Sequence, residues 1–203
     1  MTHNDLGTTT FKDWRIQLPV LSGRLVVLRE PTGQDLEPLV DLLSTSDATR
    51  FGLDEPVDEL AVGRLIEGFS RDRAHGIAFT YGVTMTLSRV VVGLIQVRQL
   101  DPLFSGAQWE CTLLPSARGT GIFLEAARLV GSFSFGSVGA YRLEARTRLH
   151  NGRANGALRK LGAVQEGILR GSLGSDGEND QLLWSMLRDD WGAHWISTAA
   201  SVH

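Results

Sequence analysis

The chain has 203 residues, a hydrophobic content of 42% and a formal net charge of -3 at neutral pH. This length can bury a full core in one domain, and the absence of a basic stripe argues against a nucleic-acid partner. No apolar run reaches the about 18 residues that span a bilayer, and no signal-peptide core is present, which predicts a cytoplasmic protein without a membrane partner. The single cysteine, Cys111, excludes an internal disulfide and a cysteine-based zinc site.

Hydrophobic periodicity divides the chain into alternating strands and helices. In chain order it first predicts a strand over 24–30, a helix from 31, a helix over 58–74 and a two-strand hairpin over 77–100. A strand ending near 114 and a helix from about 120 follow. The remainder is predicted as a strand over 141–147, a helix from 151 closed by Gly162, and a final hairpin of 163–173 with 181–187 across a turn at 175–178.

These elements define the domain limits. We predict a loosely ordered N-terminal arm over residues 1–20, one domain over 21–191 and a C-terminal tail over 192–203. Lys12 and Lys160 are the only lysines, and this preference for arginine indicates the codon bias of a GC-rich bacterium.

The segment from Trp109 to Val130 contains the most informative loop, Arg118-Gly119-Thr120-Gly121, between a strand and an amphipathic helix. Glycines at alternate positions let several backbone amides face one point, and the helix start adds its positive end, which predicts a phosphate or pyrophosphate site. Ile122 occupies a position where a nucleotide P-loop needs lysine, so that motif is excluded.

Two other interpretations of this loop stay open. The pair Gly119 and Gly121 is a fragment of a dinucleotide fingerprint, because Leu124 stands where the third small residue belongs. An ordinary tight turn between strand and helix is the other. A third pattern, arginine, two residues, glycine, one residue and then glycine or alanine, resembles the coenzyme A loop of the GNAT acyltransferases, with Phe123 departing at the last position.

Two further stretches strengthen the resemblance, in the right order and spacing. The run Asn151-Gly-Arg153-Ala154 with Lys160-Leu161-Gly162-Ala163 resembles a helix of the RimJ/RimL-like branch of GNAT N-acetyltransferases, and Asp176-Gly177 with Trp184-Ser185 and Asp190-Trp191 resembles its terminal hairpin. The resemblance implies an α+β GNAT fold. It comprises a mixed, twisted, seven-stranded sheet flanked by about four helices and split between strands 4 and 5, with acetyl-CoA in the split.

The resemblance also implies which residues hold coenzyme A. The amides of Arg118, Gly119, Thr120, Gly121 and Ile122 would bind the pyrophosphate, and the backbone of Thr112, Leu113 and Leu114 would pair with the pantetheine arm. An amide of Leu113 or Leu114 would donate to the thioester oxygen. Asn151 would contact the pantetheine arm and Arg153 a phosphate. A helix N-cap for Asn151 and a solvated helix face for Arg153 remain alternatives.

Glu110 is the candidate catalytic base. Strand alternation puts Gln108, Glu110 and Thr112 on one face of the strand. The position at which the family carries glutamate aligns with Gln108, and Glu110, two residues further along, lies on the same face. It would accept the amine proton, directly or through water. A structural carboxylate paired with an arginine is the alternative, and Glu125 and Glu144 are predicted to be structural.

The family's proton donors are replaced. Leu158 and Ala154 occupy the positions where relatives carry tyrosine or serine, so neither can protonate the departing sulfur. With a reference pKa near ~8.5, a thiol is a tolerable leaving group, and water would suffice. The predicted function is acetyl-CoA-dependent N-acetylation of a primary amine on a small molecule or protein N-terminus by direct attack in a ternary complex. A catalytically silent acyl-CoA-binding protein is the alternative.

The last features of the sequence bear on metal ions, the acceptor and self-association. No histidine has a partner at metal-ligand spacing, so no metal is predicted. The acidic loops at Asp54-Glu55 and 176–180 favour a cationic acceptor. A homodimer stays open.

Overall fold

The computed structural model describes residues 13–44, 51, 53, 56–171 and 180–191. Its strands are β1 Leu21–Ser22, β2 Val26–Arg29, β3 Ala78–Met85, β4 Val91–Gln99, β5 Gly106–Leu113, β6 Arg142–Arg148, β7 Val164–Leu169 and β8 Gln181–Leu187. They form one sheet in the order β1-β2-β3-β4-β5-β6-β8-β7. Only the β5–β6 pair is parallel, so the sheet is mixed, as predicted.

The α-helices that lie wholly within the described ranges are α1 Leu36–Ser44, α2 Glu59–Ala74, α3 Ile122–Phe133 and α4 Gly152–Lys160, and they flank the sheet. Capping side chains explain two of the starts, because Asp58 accepts from the amide of Ala61 before α2 and Asn151 accepts from the amide of Ala154 before α4. The helices α1 and α2 cover one face, over a cluster that includes Val91 and Leu94. The helices α3 and α4 pack on the larger core of the other face.

The sheet has eight strands, which corrects the predicted seven. The additional strand is β1, two residues paired with β2 through Leu21↔Leu28 and Ser22↔Val27. A pairing this short leaves no alternating pattern in the sequence, and the predicted first strand over 24–30 absorbed part of the turn that joins β1 to β2. In that turn the amide of Gly23 donates to the carbonyl of Val26 at 2.8 Å.

The described part of the N-terminal segment differs from the expected loose arm. Trp14 and Leu18 are buried in the main core. The Trp14 ring meets Phe79 and Phe104 edge to face, with centroids 5.6 and 5.5 Å apart. A single aromatic anchor carries no periodicity, so the sequence pattern missed it. The predicted turn at 175–178, the acidic pair Asp54-Glu55 and the tail over 192–203 lie outside the described residues.

The strands β5 and β6 pair at only three positions, from Gly106↔Arg142 to Gln108↔Glu144. Beyond Gln108 and Glu144 the two strands no longer pair with each other, although each still pairs with its other neighbour, so the sheet splits toward their C-terminal ends. This is the predicted split, numbered one strand higher because of β1. No helix in the described ranges combines the length and apolar character needed to cross a membrane.

Candidate active site

The glycine loop lies where β5 ends and α3 begins. After a 3-10 turn over Pro115–Ala117, Gly119 has φ 82° and Gly121 has φ 90°, the left-handed conformation that glycine adopts without strain. Gly121 is the N-cap of α3, and no side chain caps the helix there. The first amides of an α-helix have no partner within the helix, so this exposed start can receive an anion.

Two side chains of the loop point back to the protein. The guanidinium of Arg118 donates through Nε to the carbonyl of Leu113 at 2.9 Å, and the hydroxyl of Thr120 donates to the carbonyl of Ala117 at 2.7 Å. The Arg118 bond ties the loop to the end of β5, and the Thr120 bond lies within the turn. The backbone amide of Arg118, predicted to bind pyrophosphate, instead donates to the carbonyl of Pro115 at 3.2 Å. The space around Gly119 is open: apart from its two chain neighbours, no described residue has an atom within 4 Å of where a Cβ would stand.

The backbone at the end of β5 differs from the expectation for Leu114. Its amide donates to the carbonyl of Val92 at 2.8 Å, so it is directed at β4 and cannot serve the split. In an antiparallel ladder, residues alternate between bonded and non-bonded pairs. Because Leu113 lies opposite Gly93 and Thr112 opposite Leu94, Thr112 shares the orientation of Leu114.

The same alternation directs the backbone groups of Leu113 and Cys111 toward the split. Of the three residues predicted to pair with a pantetheine arm, Leu113 has this orientation, and its carbonyl already accepts from Arg118. Cys111 was not predicted from the sequence. Backbone groups of a strand point alternately to its two neighbours, so counting back two residues from Leu113 would have identified Cys111. No property of its side chain indicates this role.

The half-buried side chain of Glu110 lies on the sheet face that carries α1 and α2. Glu110 pairs in register with Gln96 of β4, next to Leu94, which packs beneath those helices. The side-chain amide of Gln108 donates through Nε2 to Oε1 of Glu110 at 3.0 Å. Gln96 in turn donates to the hydroxyl of Thr80 at 2.9 Å. The predicted face of Gln108, Glu110 and Thr112 therefore has the alternation expected of a strand.

A cleft of about 540 Å³ opens on this face between α2 and β4. Its apolar wall includes Phe51, Leu65 and Phe69, and Gln96 and Arg98 form part of its floor. Arg98 makes an ion pair with Asp72 at 2.8 Å, which neutralises both charges at that end. Since Gln96 lies directly opposite Glu110, the cleft lies one strand away from the candidate base.

At the start of α4 the structure shows the features of both structural alternatives, a helix N-cap at Asn151 and a solvated helix face at Arg153. Oδ1 of Asn151 accepts from the amide of Ala154 at 3.1 Å, which is the N-cap bond, and Arg153 is exposed. Leu158 is buried in the core. Neither Leu158 nor Ala154 carries a side-chain group that can donate a proton.

Two other glutamates have structural partners, as predicted. Glu144 makes an ion pair with Nε of Arg142 at 2.9 Å, and Glu125 accepts three backbone amides. Burial raises the pKa of the Cys111 thiol to about 12, so that the thiol stays protonated at neutral pH. Within the described ranges no group of three His, Cys, Asp or Glu side chains could hold a metal ion.

A mixed sheet that splits beside an uncapped, glycine-led helix is the arrangement that the resemblance to acyl-CoA-dependent transferases implied. The model of the acetyltransferase (GNAT) domain matches residues 25–164, and the chain belongs to the GNAT acetyltransferase family. GNAT acetyltransferases use acetyl-CoA, and the open, uncapped start of α3 suits its pyrophosphate.

Individual relatives are distant. The uncharacterized N-acetyltransferase YoaA of Bacillus subtilis (strain 168) is 25% identical over 153 residues, which are 75% of this chain and 86% of YoaA. The structure of Mycobacterium smegmatis RimJ in complex with CoA-disulfide superposes with a TM-score of 0.74 at 19% identity, covering 89% of this chain and 91% of RimJ. The ribosomal-protein-S5-alanine acetyltransferase of Vibrio fischeri gives 0.72 at 17% identity, covering 85% and 98%. At these identities the structures show the fold.

Proposed function

We propose that the protein transfers the acetyl group of acetyl-CoA to a primary amine by direct attack in a ternary complex. The observation that carries this proposal is the relation between two ends of one strand. Glu110 of β5 faces the cleft side of the sheet, and the same strand ends at Leu113, after which a 3-10 turn leads into the glycine loop and the uncapped start of α3. One strand thus connects a carboxylate to an anion site.

The glycine loop supplies the phosphate contacts. The amides of Gly119, Thr120, Gly121 and Ile122 bind the pyrophosphate, and Arg118 reinforces the loop from the end of β5. The backbone of Leu113 and Cys111 pairs with the pantetheine amides in the split, in place of the Leu114 amide, which β4 occupies. Asn151 and Arg153 at the start of α4 complete the predicted set of contacts.

Glu110 removes the proton that blocks attack. An alkyl amine has a reference pKa near ~10.4, so about one molecule in a few thousand is neutral at pH 7, and a positioned base supplies the reactive form. The hydrogen bond from Gln108 holds one carboxylate oxygen in place, which leaves the carboxylate oriented on the cleft side. Acetyl-CoA supplies the acetyl group as a thioester.

The chemistry of Cys111 supports direct transfer. A route through a cysteinyl acyl-enzyme would need a nucleophilic thiolate, and Cys111 is the only cysteine of the chain. Its half-buried thiol, whose pKa desolvation raises to about 12, stays protonated at neutral pH and is a poor nucleophile. Leu158 and Ala154 leave protonation of the departing thiolate to water, since neither side chain carries a dissociable proton.

The acceptor is a small-molecule amine or a protein N-terminus. The Vibrio fischeri neighbour is named for acetylating an alanine of a ribosomal protein, and the cleft of about 540 Å³, one strand away from Glu110, has the volume to hold a peptide end or a small amine. This acceptor class, membership of the RimJ/RimL-like branch and a cytoplasmic location remain predictions of this proposal.

An amine panel tests the proposal directly. The purified protein is incubated with acetyl-CoA and with small amines, polyamines and peptides of varied N-terminus, and free thiol and acetylated product are both quantified. Thiol release that depends on the amine, with matching product, supports the enzyme. Binding of coenzyme A by calorimetry without amine-dependent thiol release would instead support the catalytically silent acyl-CoA-binding alternative.

A further inference from the structure

Glu125, in the first turn of α3, receives three consecutive backbone amides from the turn between β1 and β2. The amide of Arg24 donates to Oε1 at 2.9 Å, and the amides of Leu25 and Val26 donate to Oε2 at 2.6 and 2.9 Å. These bonds join residues about one hundred positions apart in sequence. A carboxylate that accepts several amide bonds is held far more firmly than a single neutral hydrogen bond would hold it.

The segment that supplies the amides is fixed on its other side by the hairpin between β3 and β4. The amide of Thr86 donates to the carbonyl of Leu25 at 3.0 Å, and the Thr86 hydroxyl donates to the carbonyl of Arg24 at 3.0 Å. At Gly23 a Cβ would stand 2.7 Å from Cδ of Glu125, too close for any side chain. Glycine at this position is therefore a requirement of the Glu125 contact.

Glu125 also reaches the glycine loop. Its own amide donates to the carbonyl of Gly121 at 3.1 Å, the first helical bond of α3. The segment it grips touches the same glycine, because Cδ1 of Leu25 lies 3.3 Å from where a Gly121 Cβ would be. One residue thus connects the proposed phosphate loop to the edge of the sheet through both its backbone and its side chain.

The charge of Glu125 makes its position informative. A carboxylate in the first turn of a helix places negative charge beside the site where a pyrophosphate is expected, and like charges weaken anion binding. The structure turns this carboxylate away from the loop and onto three amides. Charge alone therefore predicts that removing it strengthens coenzyme A binding, whereas a role in holding the loop predicts the reverse.

We propose that Glu125 is a positioning residue of the coenzyme A site, which fixes the Gly119–Gly121 loop by clamping α3 to the Gly23–Val26 segment. The proposal rests on the proposed function only in taking that loop as the phosphate site. It does not require that any particular amine be acetylated.

The test uses three variants and two controls, read by calorimetry with coenzyme A. Glu125→Gln keeps the size but turns an NH₂ group toward amide donors, and Gly23→Ala displaces the carboxylate from the opposite side. Each is expected to weaken coenzyme A binding about tenfold, and the double variant no more than the stronger single variant, because both act on one contact.

The controls are Glu37→Gln, an exposed carboxylate in the first turn of α1, and Gly63→Ala, whose Cβ would meet only an ordinary contact at 3.8 Å. Both controls should bind as the wild type does.

Steady-state kinetics add a reading that a loss of stability would not give. The KM for acetyl-CoA should rise with the Kd, while kcat at saturating acetyl-CoA stays near the wild-type value, because the Glu110 side of β5 is untouched. Coenzyme A binding by Glu125→Gln that equals or exceeds that of the wild type would overturn the proposal. If that variant does not fold, Gly23→Ala decides alone, and wild-type affinity there overturns it equally. A wild type that binds coenzyme A but acetylates no amine would refute the proposed function and leave this inference standing on the affinities.

Discussion

The side-chain amide of Gln108 donates a 3.0 Å hydrogen bond to Oε1 of Glu110, two residues further along β5. The two side chains share a strand face, and the same face carries Gln96 of the neighbouring strand at the floor of the cleft. The bond restricts the rotation of the carboxylate, and a base held in this way keeps its orientation between turnovers. This relationship makes Glu110 the first residue to vary.

Glu110→Gln should lower kcat by about 100-fold, the loss typical of a missing general base, while coenzyme A affinity stays near the wild-type value. The substitution preserves size and packing and removes the proton acceptor. Stopped-time assays of acetylated product across pH, paired with calorimetry, measure both quantities. Glu67→Gln, on an exposed position of α2, is the matched control. Full turnover with an unaltered pH profile would assign Glu110 a structural role.

Gly121→Val should weaken coenzyme A binding by at least tenfold. Gly121 has φ 90°, a conformation that a β-branched residue resists, and its Cβ would lie 3.3 Å from Leu25 at the start of α3. Gly121→Ala should give an intermediate loss because its side chain is smaller. Calorimetry on folded variants, checked by circular dichroism, measures the effect, and an unchanged affinity would remove the phosphate role of the loop.

Leu65→Trp should raise the KM for the acceptor amine several-fold without changing coenzyme A affinity. Leu65 lines the cleft, so an indole there occupies the space through which the acceptor is proposed to reach Glu110. Leu60→Trp supplies the control, since Leu60 lies on the same helix and is 68% exposed. Equal acceptor KM values for the two variants would mean that the amine reaches Glu110 by another path.

The ion pair between Glu166 and Arg142 predicts a pH dependence of stability. A hydrogen bond from Arg142 and a smaller contribution from the hydrogen bond of Ser185 lower the pKa of Glu166 from 4.5 to about 2. A carboxyl whose pKa is depressed by folding stabilises the protein above its unfolded pKa, and this contribution is lost as pH falls through the folded pKa. The gain should therefore be complete above about pH 5 and disappear between about pH 4.5 and pH 2.

Thermal melting of the wild type and Glu166→Gln across that range measures this contribution. The difference in Tm should shrink as the pH falls, and it should be small throughout, because the Glu166 side chain is 37% exposed and solvent screens the pair. A difference that grows toward low pH would contradict the assigned direction of the pKa shift.

The sequence by itself determined the features that depend on local pattern. Period-two alternation placed Gln108, Glu110 and Thr112 on one strand face, and the glycine spacing at Gly119 and Gly121 predicted the turn that leads into α3. Such signals lie within a few neighbouring residues, and each residue responds to backbone geometry that its immediate neighbours fix. The helix cap at Asn151 was foreseen for the same reason.

Tertiary structure alone decided which distant groups meet. The capture of the Leu114 amide by Val92, the burial of Trp14 and the three amides on Glu125 all depend on register and packing between segments far apart in the chain. No periodicity in the sequence encodes these partners, because a carboxylate or an amide has the same local signature whether it faces solvent or another strand. The physical reason is that hydrogen-bond partners across a sheet follow from strand order and register, which are properties of the whole fold.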